Sequence, residues 1–443
     1  MTVIELGDIA SGSAPRTSPE FDARTLRRAV AAALIVLCLL SLTGSARPEP
    51  SLVRTLWTAP LAGDYRFAAG SGMVVSTTEP GLLTAYDLDT GRRRWAYPMP
   101  EPNSSPTVPA GSDVVLLSTG RLANQFLGAD GNQYLAEYYR GTLGLDLRDG
   151  RRLWRADGSE LAENAGGTVL LGDFVGDGAT VDGFRMVSER DGAVLWSGPP
   201  GAVTVTAAGA DPRRPDHLVT IGPDGTASVY AWADGRLEAR ARVTWLPVVV
   251  GAGRFTEAFA DGLNLYVRRS AEGVGGSLTA YGLNDLKLRW TAANVAENGA
   301  RPCGLVLCVF ELGSFAAYDP VTGRPIWRQV GLQGVDVAGG NTLLAQDAGP
   351  DTWAIYDALS GRVRARFGLG FLVRDSDTDE VLLTMPTVDP PRRTSVSRVD
   401  LDTGEQSLRG TVDRVGDLGC LMSDEHLICG TVASRLSVSR IAP

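Results

Sequence analysis

The stretch LTAYDLDTGRRRW, from Leu83 to Trp95, returns along the chain. LTAYGLNDLKLRW runs from Leu278 to Trp290, FAAYDPVTGRPIW from Phe315 to Trp327, and TLGLDLRDGRRLW from Thr142 to Trp154. Weaker copies are WAIYDALSGRVRARF (Trp353 to Phe367), GFRMVSERDGAVLW (Gly183 to Trp196), ASVYAWADGRLEA (Ala227 to Ala239) and VSRVDLDTGEQSL (Val396 to Leu408). A period of roughly 40 residues built of short strands restricts the chain to an array of identical supersecondary units.

Each copy reads as two strands joined by a tight turn. Leu83, Ala85 and Asp87 alternate with Thr84 and Tyr86, the period-two pattern of a sheet strand. Asp87 to Gly91 supplies the turn, with Asp and Thr side chains bonding local backbone and Gly91 free to take positive φ. Trp95 ends the returning strand, where it can pack between neighbouring sheets. Two further apolar runs lie upstream, Arg66 to Ala69 and Met73 to Ser76, so each unit holds four antiparallel strands. Strand-ending residues fall at Trp57, Trp95, Trp154, Trp196, about Arg240, Trp290, Trp327, Phe367 and Leu408. The last unit has three apolar runs and no fourth, while Leu52 to Ala59 is a strand without a unit. The expectation is that the first strand completes the last unit and closes a ring, leaving no sheet edge open.

The A-x-D-x-x-T-G-x-x-x-W signature resembles the repeat of pyrroloquinoline-quinone-type propellers. That family includes quinoprotein alcohol dehydrogenases and a non-enzymatic propeller lipoprotein that helps assemble outer-membrane barrels. The resemblance covers nearly all of the chain after residue 50. It implies an all-β, PQQ-like β-propeller of eight or nine four-stranded blades over residues 52–443. It says little about function, because the repeated residues are those that build blades.

The net charge of −9 and the lack of a basic stripe with interleaved aromatics argue against nucleic acid. Ala29 to Ala46 carries no charge and follows Arg24, Arg27 and Arg28. Residues 24–46 therefore read as a transmembrane helix or signal anchor with a cytoplasmic N-terminus, contacting the membrane through residues 29–46. Signal cleavage near Gly44-Ser45-Ala46, giving a secreted protein, is the competing reading. Residues 1–23 read as a disordered cytoplasmic tail and 47–51 as a stiff linker. Either way the propeller is expected outside the cytoplasm.

Four cysteines fit that compartment. Cys303 and Cys308 flank one hairpin, Cys420 and Cys429 another, at matching places in their blades, so two disulfides are expected, with Cys38 unpaired. Zinc is a poor reading, since only His217 and His426 could join them.

Catalytic chemistry is hard to find. A quinoprotein dehydrogenase needs calcium, funnel carboxylates and an adjacent Cys-Cys pair, and the chain has no such pair and no C-x-x-C-H. Asp87, Asp319 and Asp357 recur in register, as turn residues do. Asp173 to Asp182 is acidic and Gly-rich but lacks calcium-loop spacing. What remains is a surface. Insertions fall on one face: Trp245 to Gly253, Ser270 to Gly276, Pro386 to Arg393, and the longest, Gly120 to Tyr139. The last gathers Phe126, Tyr134, Tyr138 and Tyr139 as a candidate binding loop. The sequence thus reads as a non-catalytic extracytoplasmic binding or scaffold propeller without cofactor or metal. Its expected partner is a protein or cell-envelope ligand that the sequence does not identify. A PQQ-dependent dehydrogenase and an extracytoplasmic sensor are the alternatives.

Overall fold

The computed structural model describes residues 27–28, 30–34, 51–62, 66–79, 81–99, 104–128, 131–175, 180–211, 213–246, 254–271, 274–339, 341–347, 353–368, 370–374 and 380–442. The chain divides into Met1–Ser51 and Leu52–Pro443. In the first unit residues 27–28 and 30–34 are helical. No helix among the described residues is long and apolar enough to cross a membrane, and most of the expected span 29–46 lies outside them, as does Cys38.

The described residues of Leu52–Pro443 form strands joined by turns and irregular segments. Strands Phe67–Gly70, Met73–Glu79, Leu82–Asp87 and Arg93–Pro98 form the first sheet, an antiparallel meander. The second has three strands, with Thr107 bridged to Leu116 where a first strand would lie. The third and fourth repeat the meander. A seven-stranded sheet follows because Leu288–Cys303 runs unbroken, pairing Val295 with Gly276 on one side and Glu311 on the other. Two more meanders and a closing sheet complete the set. First strands of neighbouring sheets touch, for instance Thr204–Ala208 with Arg254–Ala260, and last strands are the most exposed. First strands are therefore innermost, as in a β-propeller.

Sandwiching each sheet between two others changes the burial expected from alternation. Leu83, Thr84 and Ala85 are all buried, and so is all of His426–Thr431. Both faces of a middle strand meet a neighbouring sheet, so the apolar core lies between sheets. Met73, Val75, Leu83 and Ala85 of the first sheet pack on Val115, Leu117, Leu143 and Leu145 of the second.

The strand-ending tryptophans make those interfaces specific. Trp95 donates its indole Nε1–H to the carbonyl of Leu147, in the turn of the next sheet, at 2.8 Å. The ring lies on Gly150, whose added Cβ would come within 2.6 Å of Trp95. Trp57 repeats this on Leu88 and Gly91, and Trp154 on Glu189 and Gly192. Trp196 sits on Trp232 and Gly235, Trp290 on Pro320 and Gly323, and Trp327 on Ala358 and Gly361. Each glycine thus meets two demands, positive φ in its own turn and room for the neighbour's indole.

The remaining positions correct the sequence alignment. The residue in the Trp position of the fourth sheet is Ala239, four residues after Gly235, rather than Arg240. The turn it faces has Leu286 in place of glycine, at φ 51°, 3% exposed and packed in the same cluster as Ala239. Left-handed backbone costs a non-glycine residue about 1–2 kcal/mol, and burying a leucine returns about 1.5–3. Ala365, not Phe367, occupies the position near Gly404, whose added Cβ would come within 2.1 Å of the alanine. There the carbonyl of Leu401 accepts from Arg364 Nη1 at 3.2 Å instead of from an indole.

Closure follows the expected route. Val53–Pro60 pairs antiparallel with Arg435–Ile441, from Val53 opposite Ile441 to Pro60 opposite Arg435. His426 Nε2 lies 2.9 Å from Asp89 Oδ1 in the first sheet's turn, and Arg440 pairs with the same carboxylate. Both disulfides are present, but their placement differs. Cys420 and Cys429 are direct cross-strand partners, whereas Cys303 lies opposite Val306 and bonds Cys308 diagonally.

Gly111 and Gly150 separate the glycine's two demands. They share φ of 71° and 72°, but nothing lies within 4 Å of a Cβ at Gly111. Gly111→Ala should cost about 1–2 kcal/mol by backbone strain alone. Gly150→Ala should cost at least about 3 kcal/mol, since it also displaces Trp95. Equal shifts in denaturant midpoint would contradict the docking role.

Candidate functional site

Residues 120–139 are not a loop. Val114–Leu127 and Gln133–Asp146 stay paired from Val114 opposite Asp146 to Leu127 opposite Gln133, so the insertion is a two-stranded ribbon extending the second sheet. Period-two side chains then divide the four aromatics. Tyr138 is 8% exposed, lies 6.1 Å from the Phe174 ring of the third sheet, and its hydroxyl accepts from Asn124 Nδ2 at 3.1 Å. It belongs to a small core at the ribbon's base. Phe126 and Tyr134 stack at 6.0 Å further out, each half-buried. Tyr139 is held through its backbone, with N–H and carbonyl both bonded to Ser159 Oγ. Leu127 and Leu135 are 71% and 56% exposed, and an Arg121–Glu137 pair bridges the two strands. The sequence offered the aromatics but not their division, which depends on the strand register.

The other insertions are simpler. Ser270 to Gly276 lies mostly in the strands Asn264–Ala271 and Val274–Gly282. Pro386 to Arg393 is a turn with Val388 almost fully exposed. Residues 247–253 of the Trp245 insertion and 176–179 of the acidic run lie outside the described residues. Asp173 pairs with Arg185.

The recurring carboxylates are turn staples. Asp87 Oδ1 accepts from the Thr90 hydroxyl and backbone N–H at 2.8 and 3.0 Å, and the Thr90 hydroxyl chiefly holds its pKa down. Asp319 accepts from the N–H groups of Val321 and Thr322. Burial works to raise the Asp357 carboxyl, but bonds from Ser360 and Arg364 outweigh it and hold the group at about 2.

Three glutamates behave oppositely. Burial pushes Glu160 up to about 7, with the Glu163 charge adding. Burial raises Glu189 to about 7 as well, with Glu163 and Asp113 adding, and Glu163 Oε2 is buried without a hydrogen-bond partner. Perturbed carboxyls mark functional-site candidates. Among the described residues, however, no three or more His, Cys, Asp and Glu are grouped to hold a metal ion. His217 lies between Asp216 and Glu238, and His426 serves closure. With Cys303, Cys308, Cys420 and Cys429 in disulfides and no neighbouring cysteines in sequence, the described donor set does not fit a quinone with calcium.

A cavity of about 410 Å³ opens beside Leu288–Cys303, lined by Asn294, Glu311, Leu312, Tyr318, Pro325 and Arg328. Its charges satisfy one another. Glu311 accepts two bonds from Arg328, at 2.8 and 3.1 Å, and others from Tyr318 and Ser314. Burial, then the bond to Glu311, pushes Tyr318 up to about 12.

The raised glutamates set a pH dependence. Their folded pKa exceeds the ordinary value of 4.5, so between that value and about 7 the fold binds more protons than the unfolded chain. Stability from this source is therefore full below pH 4.5 and falls as pH rises through 7. Glu160→Gln, a permanent mimic of the neutral acid, should raise the melting temperature at pH 8 by about 1–3 °C and leave it unchanged at pH 4. An equal effect at both pH values would contradict the assignment.

Residues 53–231 match the family model described as outer membrane protein assembly factor BamB. No curated protein sequence matches the chain. Among solved structures, BamB from Moraxella catarrhalis is 13% identical at a TM-score of 0.43, over 88% of this chain and 99% of that one. The computationally designed protein Ika8 gives 13% and 0.43, over 88% and 100%. A europium-containing methanol dehydrogenase gives 12% and 0.36, over 75% and 72%. The repeat, its Trp-on-Gly docking and the match over residues 53–231 make this chain similar to PQQ-like β-propellers.

Proposed function

We propose that the protein is a non-catalytic scaffold of the cell envelope that captures a protein or envelope ligand on one end of its ring. In this reading residues 29–46 anchor it in the cell membrane, 1–23 form a cytoplasmic tail, 47–51 a linker, and the propeller lies outside the cytoplasm. Counting Leu288–Cys303 in two blades gives nine blades, the upper of the two numbers expected from the repeat.

The ribbon carries the reading. An extension that ring closure does not require, with a half-buried aromatic pair and two exposed leucines, suits recognition better than scaffolding of its own sheet. Two facts support the absence of catalysis: the in-register carboxylates are used within their turns, and the cavity's charged groups pair with one another. The family match to an assembly factor is in keeping with a binding role. The dehydrogenase and sensor alternatives gain no specific observation.

The test trims the ribbon above its core. Replacing residues 125–135 by Asn-Gly closes the turn on the Asn124–Ala136 pair and retains Asn124, Tyr138, Phe174 and Ser159, so the melting temperature should stay within about 2 °C. Crosslinking in intact cells, followed by purification of the protein, should lose the partner bands seen with the unaltered chain. Undiminished partner recovery from a stably folded variant would refute the ribbon as the docking element.

A further inference from the structure

Charge in this ring is sorted by position. Take the seven residues centred on each of Trp57, Trp95, Trp154, Trp196, Ala239, Trp290, Trp327, Ala365 and Leu408, the outermost stretch of each repeat. Together they hold eighteen Arg or Lys against three Asp or Glu, while the whole chain has a formal net charge of −9. The circumference is basic and the rest of the molecule correspondingly acidic.

Two ordinary explanations fall short. Charges on exposed edge strands block edge-to-edge association, but either sign serves that purpose. An arginine-rich composition accounts for Arg in place of Lys, but not for the near-absence of Asp and Glu from stretches of a chain richer in acids than bases. A single sign around a rim makes a field that attracts the opposite charge.

The clearest arc spans three consecutive outer strands. Val53–Pro60 carries Arg54, Arg93–Pro98 follows Arg92 and carries Arg93 and Arg94, and Arg152–Asp157 carries Arg152 and Arg155. These strands are adjacent around the ring, since Trp57 docks on the first sheet and Trp95 on the second. All six arginines are exposed, and none forms an ion pair among the described residues. Elsewhere on the rim Arg328 and Arg364 are tied to Glu311 and Asp357.

We propose that this arc binds a flexible, phosphate-bearing linear polyanion of the cell envelope along the propeller's rim. The planar guanidinium groups suit phosphate oxygens. The curvature favours a flexible chain, because a flat lipid surface meets a ring's rim along one tangent only. The tryptophans among these arginines, Trp57, Trp95 and Trp154, are docked on neighbouring turns and not free to stack on bases, so recognition is by phosphate charge.

Inorganic polyphosphate is the probe. The full chain should bind it in 50 mM salt and lose about a hundredfold in affinity by 200 mM, as counterion release at several contacts requires. Arg92, Arg93 and Arg94→Gln together should weaken binding at least tenfold with the melting temperature unchanged. Arg152→Gln with Arg155→Gln, on another sheet, should do so independently and decides the matter if the triple variant does not fold. Failure of the unaltered chain to bind in 50 mM salt, or equal binding by a folded variant, would overturn the proposal. So would binding to vesicles of anionic phospholipid without binding to polyphosphate.

Discussion

An indole lying on a glycine of the next sheet is the contact on which the rest of this propeller depends. Sheets stacked around an axis bury apolar faces whatever their angular offset, because the hydrophobic effect has no direction. The Trp Nε1–H to carbonyl bond supplies the direction. It fixes each outer strand to one residue of the neighbouring turn, and the glycine below lets the ring close on the backbone. Where the tryptophan is absent the chain compensates locally. Leu286 fills the space over Ala239, and Arg364 takes the carbonyl that an indole would otherwise engage.

Much of this was legible in the sequence, and the limits have physical causes. Gly91 and Trp95 recur at a fixed spacing, which announces a hairpin repeat. Gly91's need for positive φ could be read from its own turn. Its second role belongs to Trp57, one unit upstream, and no local pattern carries a contact between units. Arg240 and Phe367 looked like tryptophan substitutes because they are large. The positions belong to Ala239 and Ala365, as counting from the turn glycine shows. The orphan strand Leu52 to Ala59 was readable as the closing strand, because a ring allows only one place for it.

The candidate site was readable in composition and not in shape. Phe126, Tyr134, Tyr138 and Tyr139 stood out as a cluster of interface-type residues. Unbroken pairing from Val114 to Leu127 converts that cluster into a ribbon with distinct roles along its length. The acidic residues divide in a similar way. Asp87 and Asp357 are held ionised by turn donors, while Glu160 and Glu189 are pushed towards neutrality by burial. Sequence shows all four as carboxylates, and only the packing distinguishes them.

The account makes the ring one cooperative object, locked where Val53–Pro60 meets Arg435–Ile441. Its most direct test is calorimetry of the chain lacking residues 436–443, beside the intact chain. Loss of that strand should leave Trp57 and its dock on Gly91 without their supporting sheet, and lower the midpoint of a single transition spanning the whole propeller. An unchanged midpoint, or a small separate transition with the main one unmoved, would contradict closure as what holds the sheets together.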